Sequence, residues 1–117
     1  MGYESKVIIA RKYGTKKYAC TEIIAQINLC GMPNGFDELF TKEYPNGYYV
    51  LETAEKITTD KYDAPVTYAK LDTVLKWALD NALEARYRRM DLLIATLTSV
   101  RQGWGNDKDL IVIHYGY

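Results

Sequence analysis

The chain predicts an α+β fold. An antiparallel sheet of four or five strands packs on a long or broken C-terminal helix, and a closing strand ends the chain. Three observations predict it. Apolar runs stand near both ends, Val7-Ile8-Ile9-Ala10 and Leu110-Ile111-Val112-Ile113. Apolar residues alternate with period 2 over Ile23, Ala25, Ile27 and Leu29, the spacing of a half-buried strand. The 32 residues from Leu71 to Gln102 contain neither glycine nor proline and carry helical apolar spacing.

Glu4 to Tyr13 reads as a strand covered on both faces, because its apolar run is continuous. Gly14-Thr15-Lys16-Lys17 is a turn, and Tyr18 to Leu29 returns as the second arm of a hairpin. A helix over Cys20 to Leu29 is the rival reading, and alternation with β-branching favours the strand. Gly31 to Gly35 breaks the chain, and Phe36 to Thr41 reads as one or two helical turns with Asn34 as a cap. Pro45-Asn46-Gly47 signals a turn before a third strand at Tyr48 to Glu52. Lys56 to Thr59 reads as a short polar strand suited to a sheet edge, and Tyr62 to Lys70 as a loop stiffened by Pro65.

The dominant helix spans Leu71 to Gln102, with Asp72 in its first turn and Arg101 then Gly103 at its end. Its stripe runs through Leu71, Val74, Leu75, Ala78, Leu79, Ala82 and Leu83, then Tyr87, Met90, Leu93, Ile94, Leu97 and Val100. Unbroken, it would be about 48 Å long. That exceeds what a chain of this size accommodates. A break near Glu84 to Arg89 is expected, or a helix that protrudes to meet a partner. Gly103 to Asp107 reads as a loop, and Leu110 to Tyr117 as a closing strand beside the first. The two terminal strands need cover on both faces. The helix supplies one side, and a second subunit is expected to supply the other, as a homodimer.

Residues 1–117 fit one domain with its own core. Fifteen basic residues balance fifteen acidic ones, so neither the field of a nonspecific nucleic-acid binder nor that of an acidic mimic is present. No apolar run approaches the ~20 residues that span a bilayer. The N-terminal stretch is not a secretory signal, and Lys6 breaks the pattern for myristoylation at Gly2. Cys20 and Cys30 match no metal or redox spacing and read as free thiols of a reducing cytoplasm. No cofactor and no metal site are implied.

Eleven tyrosines against two phenylalanines point to half-buried contact surfaces. The candidate partner-binding residues are Tyr48, Tyr49, Tyr62 and Tyr68, joined by Trp104 between two glycines; Tyr44 belongs to the same stretch. Tyr48 and Tyr49, in a strand, must point to opposite faces. Trp104 has a second reading, a lid over the end of the long helix. The candidate anion site is Arg86, Tyr87, Arg88 and Arg89, three guanidiniums with a ring for stacking. Its plain alternative is a solvated helix face in which Glu84 answers Arg88 at i, i+4. His114 is the single histidine and stands in an apolar strand, where a structural role outweighs a catalytic one. With no phosphate loop, zinc pattern or nucleophile elbow, the residues point away from an enzyme.

Met1-Gly2-Tyr3-Glu4-Ser5, followed by an apolar strand, resembles the opening of a group of small phage and prophage proteins. Val112-Ile113-His114-Tyr115-Gly116-Tyr117 resembles the ending of some of them. The resemblance is confined to the two ends and carries no functional residue. It implies a setting, the cytoplasm of an infected host cell. Small phage accessory proteins often bind a host protein, and inhibitors of bacterial defence, anti-CRISPR proteins included, are a prominent case. The expected function is therefore a non-enzymatic phage accessory protein that binds and inhibits or modulates a host protein. The alternative is a nucleotide- or nucleic-acid-binding module built on Arg86 to Arg89.

Overall fold

The computed structural model describes residues 5–13, 20–29, 35–50, 55–81, 89–104 and 109–117. Among the described residues, seven strands and two helices follow in the order β1 (Ser5–Tyr13), β2 (Cys20–Asn28), β3 (Lys42–Glu43), β4 (Tyr48–Val50), β5 (Glu55–Ile57), β6 (Thr67–Lys70), α1 (Leu71–Asp80), α2 (Met90–Trp104) and β7 (Leu110–Gly116). A 3-10 turn at Phe36–Leu39 precedes β3. Five strands form one antiparallel sheet in the order β2-β1-β7-β6-β3, and β4 pairs with β5 in a second, two-stranded sheet. This is the expected α+β class, with the two terminal strands side by side.

The sheet is the middle of three layers. On one face, Val7, Ile9, Ile27, Ala69, Leu110 and Val112 pack with the helices through Leu71, Val74, Ala78, Met90, Leu93, Leu97 and Val100. On the other, Ile8, Ala10, Ile111, Ile113 and Val66 pack with Tyr44 and Tyr48 from the segment leading into the β4–β5 hairpin. The continuous apolar runs of β1 and β7 follow from this cover on both sides. The second face is therefore covered by the chain's own hairpin layer. A second subunit is not needed for that cover.

The helical segment breaks, as its length required. An unbroken helix of about 48 Å would exceed the 42 Å greatest extent of the molecule. Instead α1 stops at Asn81, whose backbone N–H and side-chain amide both donate to the Trp77 carbonyl, at 3.0 and 2.8 Å. Then α2 starts after Arg89, whose backbone is left-handed at φ 55° and whose carbonyl accepts the Leu93 N–H. The helices run antiparallel, because Asp72 in the first turn of α1 meets Arg101 in the last turn of α2 at 2.7 Å. Both partners are exposed, so the pair contributes about 0.2–1 kcal/mol, and most of the packing free energy comes from the buried stripe. Leu79, placed by periodicity in that stripe, is instead exposed. Residues 82–88, between the helices, lie outside the described residues, as do the expected turn at Gly14 to Lys17, the Asn34 cap and Cys30.

Three other expectations are corrected, and one strand is added to them. The stretch Tyr62 to Lys70 is not loop throughout: Thr67–Lys70 forms β6, an inner strand that continues directly into α1. The pleat turns Tyr68 to the hairpin layer and Ala69 to the helices. The two-residue strand β3, which pairs with β6, was not foreseen. Gly103 and Trp104 belong to the last turn of α2, not to a loop. Finally, Ile23 does not share a face with Ala25 and Ile27. A β-bulge shifts the register between Ile9↔Ala25 and Ala10↔Ile23, so Ile24 is the extra residue. Ile23 is thereby turned to the hairpin layer while Ala25 and Ile27 face the helices.

Candidate partner-binding surface

The hairpin layer begins with a tight turn. Gly47 sits at φ 59° and donates its N–H to the Tyr44 carbonyl at 3.2 Å. A Cβ at Gly47 would run into the Ile57 carbonyl, so the turn needs glycine for conformation and for space. Strand β4 follows at once, and its pleat sends Tyr48 inward and Tyr49 outward. Tyr48 is paired with Ile57 and is 2% exposed, whereas Tyr49, paired with Lys56, is 56% exposed. The expectation that one of the two faces away from the core is met, and Tyr48 leaves the candidate surface for the core.

Tyr44 and Tyr48 solve the problem of a buried hydroxyl differently. Thr21 Oγ1 donates to the Gly47 carbonyl at 2.9 Å, which uses its one proton. The Tyr44 hydroxyl, 2.7 Å from the same oxygen, is therefore the donor of that contact. Tyr48 Oη has no hydrogen-bond partner. Burial, with Tyr115 adding a smaller repulsion, pushes the Tyr48 phenol well above its ordinary value of 10.0, so it stays neutral at any physiological pH.

Tyr62 is presented by a second rigid turn. The Asp60 carboxylate accepts the N–H groups of Tyr62 and Ala64 at 2.8 and 3.1 Å. The Asp60 N–H donates to the Ala64 carbonyl at 2.8 Å, and Asp63 adopts φ 60°. The Lys61 N–H ties the turn to the Gly116 carbonyl at the end of β7, at 3.1 Å. Tyr62 is left 55% exposed.

Around these residues tyrosine rings carry lysine ammonium groups. Lys6 Nζ lies 4.6 Å from the centre of the Tyr115 ring, which sits 6.3 Å from the Tyr117 ring. Lys12 Nζ lies 5.4 Å from the centre of the Tyr68 ring, which meets Tyr44 edge-on at 5.2 Å. Each exposed cation–π contact contributes about 0.5–1 kcal/mol. Burial lowers the Lys6 ammonium from its ordinary value and raises the Tyr115 phenol, the latter helped by the carboxylates of Asp60 and Glu55. Tyr68 is half-buried and serves this packing more than it serves a free surface. Nothing in the linear sequence signalled the Lys6–Tyr115 pairing, because it depends on the register that sets Lys6 opposite Tyr115.

Trp104 lies elsewhere. It ends α2 at 41% exposure, with the Arg11 guanidinium carbon 5.4 Å from its ring centre. Arg11 shares the helix side of β1 with Val7 and Ile9. Trp104 therefore belongs to the helix layer, across the sheet from Tyr49, and the two are not neighbours on one patch. Of the candidate anion site, Arg86, Tyr87 and Arg88 lie outside the described residues. Arg89 is described and donates from Nη1 to the Asn28 carbonyl at 3.0 Å, pinning the start of α2 to the end of β2.

His114 is buried on the helix side of β7. Its Nε2 is 2.9 Å from Ser5 Oγ, and its ring stacks on Phe40 at 5.1 Å and 23°. These contacts fit the structural reading. Among the described residues, no three His, Cys, Asp or Glu side chains stand together where a metal ion could be held, and no helix is long and apolar enough to cross a membrane. Set against known proteins, the chain matches no family model, no curated protein and no solved structure.

Proposed function

We propose that this chain is a non-enzymatic accessory protein that docks on another protein through its hairpin layer. The observation that carries the reading is the pair Tyr49 and Tyr62. Both rings are more than half exposed, and both stand on backbone fixed by hydrogen-bonded turns or strand pairing. A rigid, exposed tyrosine offers large contact area at low entropic cost, the property of interface anchors. The terminal likeness to phage and prophage proteins supports the rest of the reading. The partner is a host protein, the compartment is the host cytoplasm, and the outcome is inhibition or modulation, with a defence system such as CRISPR-Cas as the leading target class. The alternative, anion or nucleic-acid capture by Arg86 to Arg89, has less support, since Arg89 is engaged with the backbone of β2.

The test is affinity capture from host lysate with three baits. The wild-type chain and Trp104→Ala retain the same partner, and the double variant Tyr49→Ala, Tyr62→Ala loses it. Removing one hot-spot aromatic costs about 2 kcal/mol, or roughly 30-fold in affinity. Capture by the double variant at wild-type strength would overturn the assignment.

A further inference from the structure

Lysines gather on the hairpin side of the sheet. Lys6 and Lys12 stand there by strand parity, in step with Ile8 and Ala10. Lys42 joins them, because its register partner Tyr68 packs in the same layer. Lys56 lies directly opposite Tyr49 on the outer face of the β4–β5 hairpin, and Lys61 precedes Tyr62 in the Asp60 turn. Lys42, Lys56 and Lys61 are exposed. Lys6 and Lys12 lie over tyrosine rings. Among the described residues, no carboxylate forms an ion pair with any of these lysines. In the same layer Asp60 spends its carboxylate on two N–H groups of its own turn, and Glu55 and Asp63 are exposed.

The described arginines are placed differently. Arg11 lies over Trp104, Arg101 pairs with Asp72, and Arg89 ties the start of α2 to the Asn28 carbonyl. All three serve the helix layer. Each exposed ring of the hairpin layer therefore has an ammonium group beside it, and none has a guanidinium among the described residues.

That difference selects among anions. The guanidinium fork grips phosphate at two points, whereas ammonium is a compact, strongly hydrated point charge. Glu55 and Asp63 would also repel a strand that carries a charge at every nucleotide. A folded protein surface meets neither obstacle. Its carboxylates can stand opposite the lysines while Glu55 and Asp63 face water or a cation.

We propose that the partner of this face is an acidic protein surface, whose carboxylates meet Lys42, Lys56 and Lys61 around the Tyr49 and Tyr62 contacts. The proposal rests on the reading of Tyr49 and Tyr62 as contact residues and adds the charge of what they touch. Charges at such a rim act mainly on the association rate and its salt dependence.

Poly-L-glutamate is the probe, titrated into the full chain with amide chemical shifts as the readout. At ~0.01 M salt, where the Debye length is about 30 Å, it moves the resonances around Tyr49, Lys56 and Tyr62 and leaves those of α1 and α2 in place. The triple variant Lys42→Gln, Lys56→Gln, Lys61→Gln binds it at least ~10-fold more weakly, with circular dichroism reporting the fold. Lys76→Gln, at an exposed position on α1, binds like the wild type. Poly-L-glutamate that does not bind overturns the proposal, as does binding that the triple variant leaves intact. Single-stranded oligothymidylate bound more tightly at the same face would also overturn it, in favour of a nucleic-acid partner. The capture experiment separates this inference from the reading beneath it. A triple variant that retains the partner lost by Tyr49→Ala, Tyr62→Ala leaves the contact surface standing and removes its acidic complement. Retention by both variants removes the contact surface itself.

Discussion

Replacing Tyr48 with phenylalanine removes one oxygen atom and should stabilise the protein. The ring is 2% exposed, and its hydroxyl has no hydrogen-bond partner. Leaving a buried polar group unsatisfied costs about 1–3 kcal/mol. Removing it recovers part of that cost, less the contacts the oxygen makes, so the expected gain near pH 7 is about 1 kcal/mol. For a chain of this length that is about 4 °C in Tm. The pH dependence sharpens the prediction. The folded phenol titrates well above 10.0, the value of an unperturbed tyrosine. Above pH 10 the unfolded chain therefore loses a proton that the folded chain keeps. The unfolded state then binds fewer protons, and stability falls as pH rises, by up to ~1.4 kcal/mol per pH unit from this residue. Tyr48→Phe lacks that slope. Urea titrations at pH 7, 10 and 11 should show an advantage for the variant that is flat below pH 9 and widens above 10. A variant less stable than the wild type at pH 7 would mean that the hydroxyl has a partner, and would refute the reasoning. So would a gap that does not widen with pH.

Two other substitutions test the frame around the candidate surface. Gly47→Ala should destabilise by more than ~1 kcal/mol, because the left-handed backbone and the Ile57 carbonyl both exclude a side chain; a thermal melt within 1 °C of wild type would count against this account of the turn. Ser5→Ala should cost about 1–2 kcal/mol, because it takes a buried hydrogen-bond partner from His114 Nε2, and unchanged stability in urea would show that this contact contributes nothing.

The parts of the fold that were legible in sequence are those where one local property has one consequence. Val7 to Ala10 and Leu110 to Ile113 are apolar at successive positions, so both faces of their strands had to be covered, and they are. The length of the segment from Leu71 to Gln102 required a break, and the helices fold back on each other. The parts that were not legible depend on contacts between distant segments. That the second face needed cover followed from β1, but that Tyr44, Tyr48 and Ile57 would help supply it did not. Strand β6 is four residues long and follows Pro65 and a left-handed Asp63, which disguise it as loop. The bulge at Ile24 leaves no trace in Ile23-Ile24-Ala25, three residues of similar character, yet it decides which of them faces the helices. For the candidate surface, strand parity required that Tyr48 and Tyr49 separate. Which one is buried is set by the Gly47 turn and the Ile57 pairing, both tertiary facts.

The excess of tyrosine over phenylalanine has a physical reason in the three-layer arrangement. The helix layer is thick enough to bury aliphatic and phenylalanine side chains, and among the described residues its core contains no tyrosine. The hairpin layer is two strands of three residues each, and tyrosine rings fill much of the space between it and the sheet. Tyrosine suits that place, since its ring packs against the sheet while its hydroxyl can reach a polar partner. Tyr44 reaches Thr21, while the rings of Tyr68 and Tyr115 sit half-buried beneath lysine ammonium groups. Tyr48 goes further, ending with its hydroxyl inside the layer and without a hydrogen-bond partner. Tyr49 and Tyr62 are different, because neither belongs to the apolar cluster of this layer and both stand outward. Packing thus accounts for the tyrosines that face the sheet and for none of the exposure of these two, which is why the proposed partner contact is assigned to them.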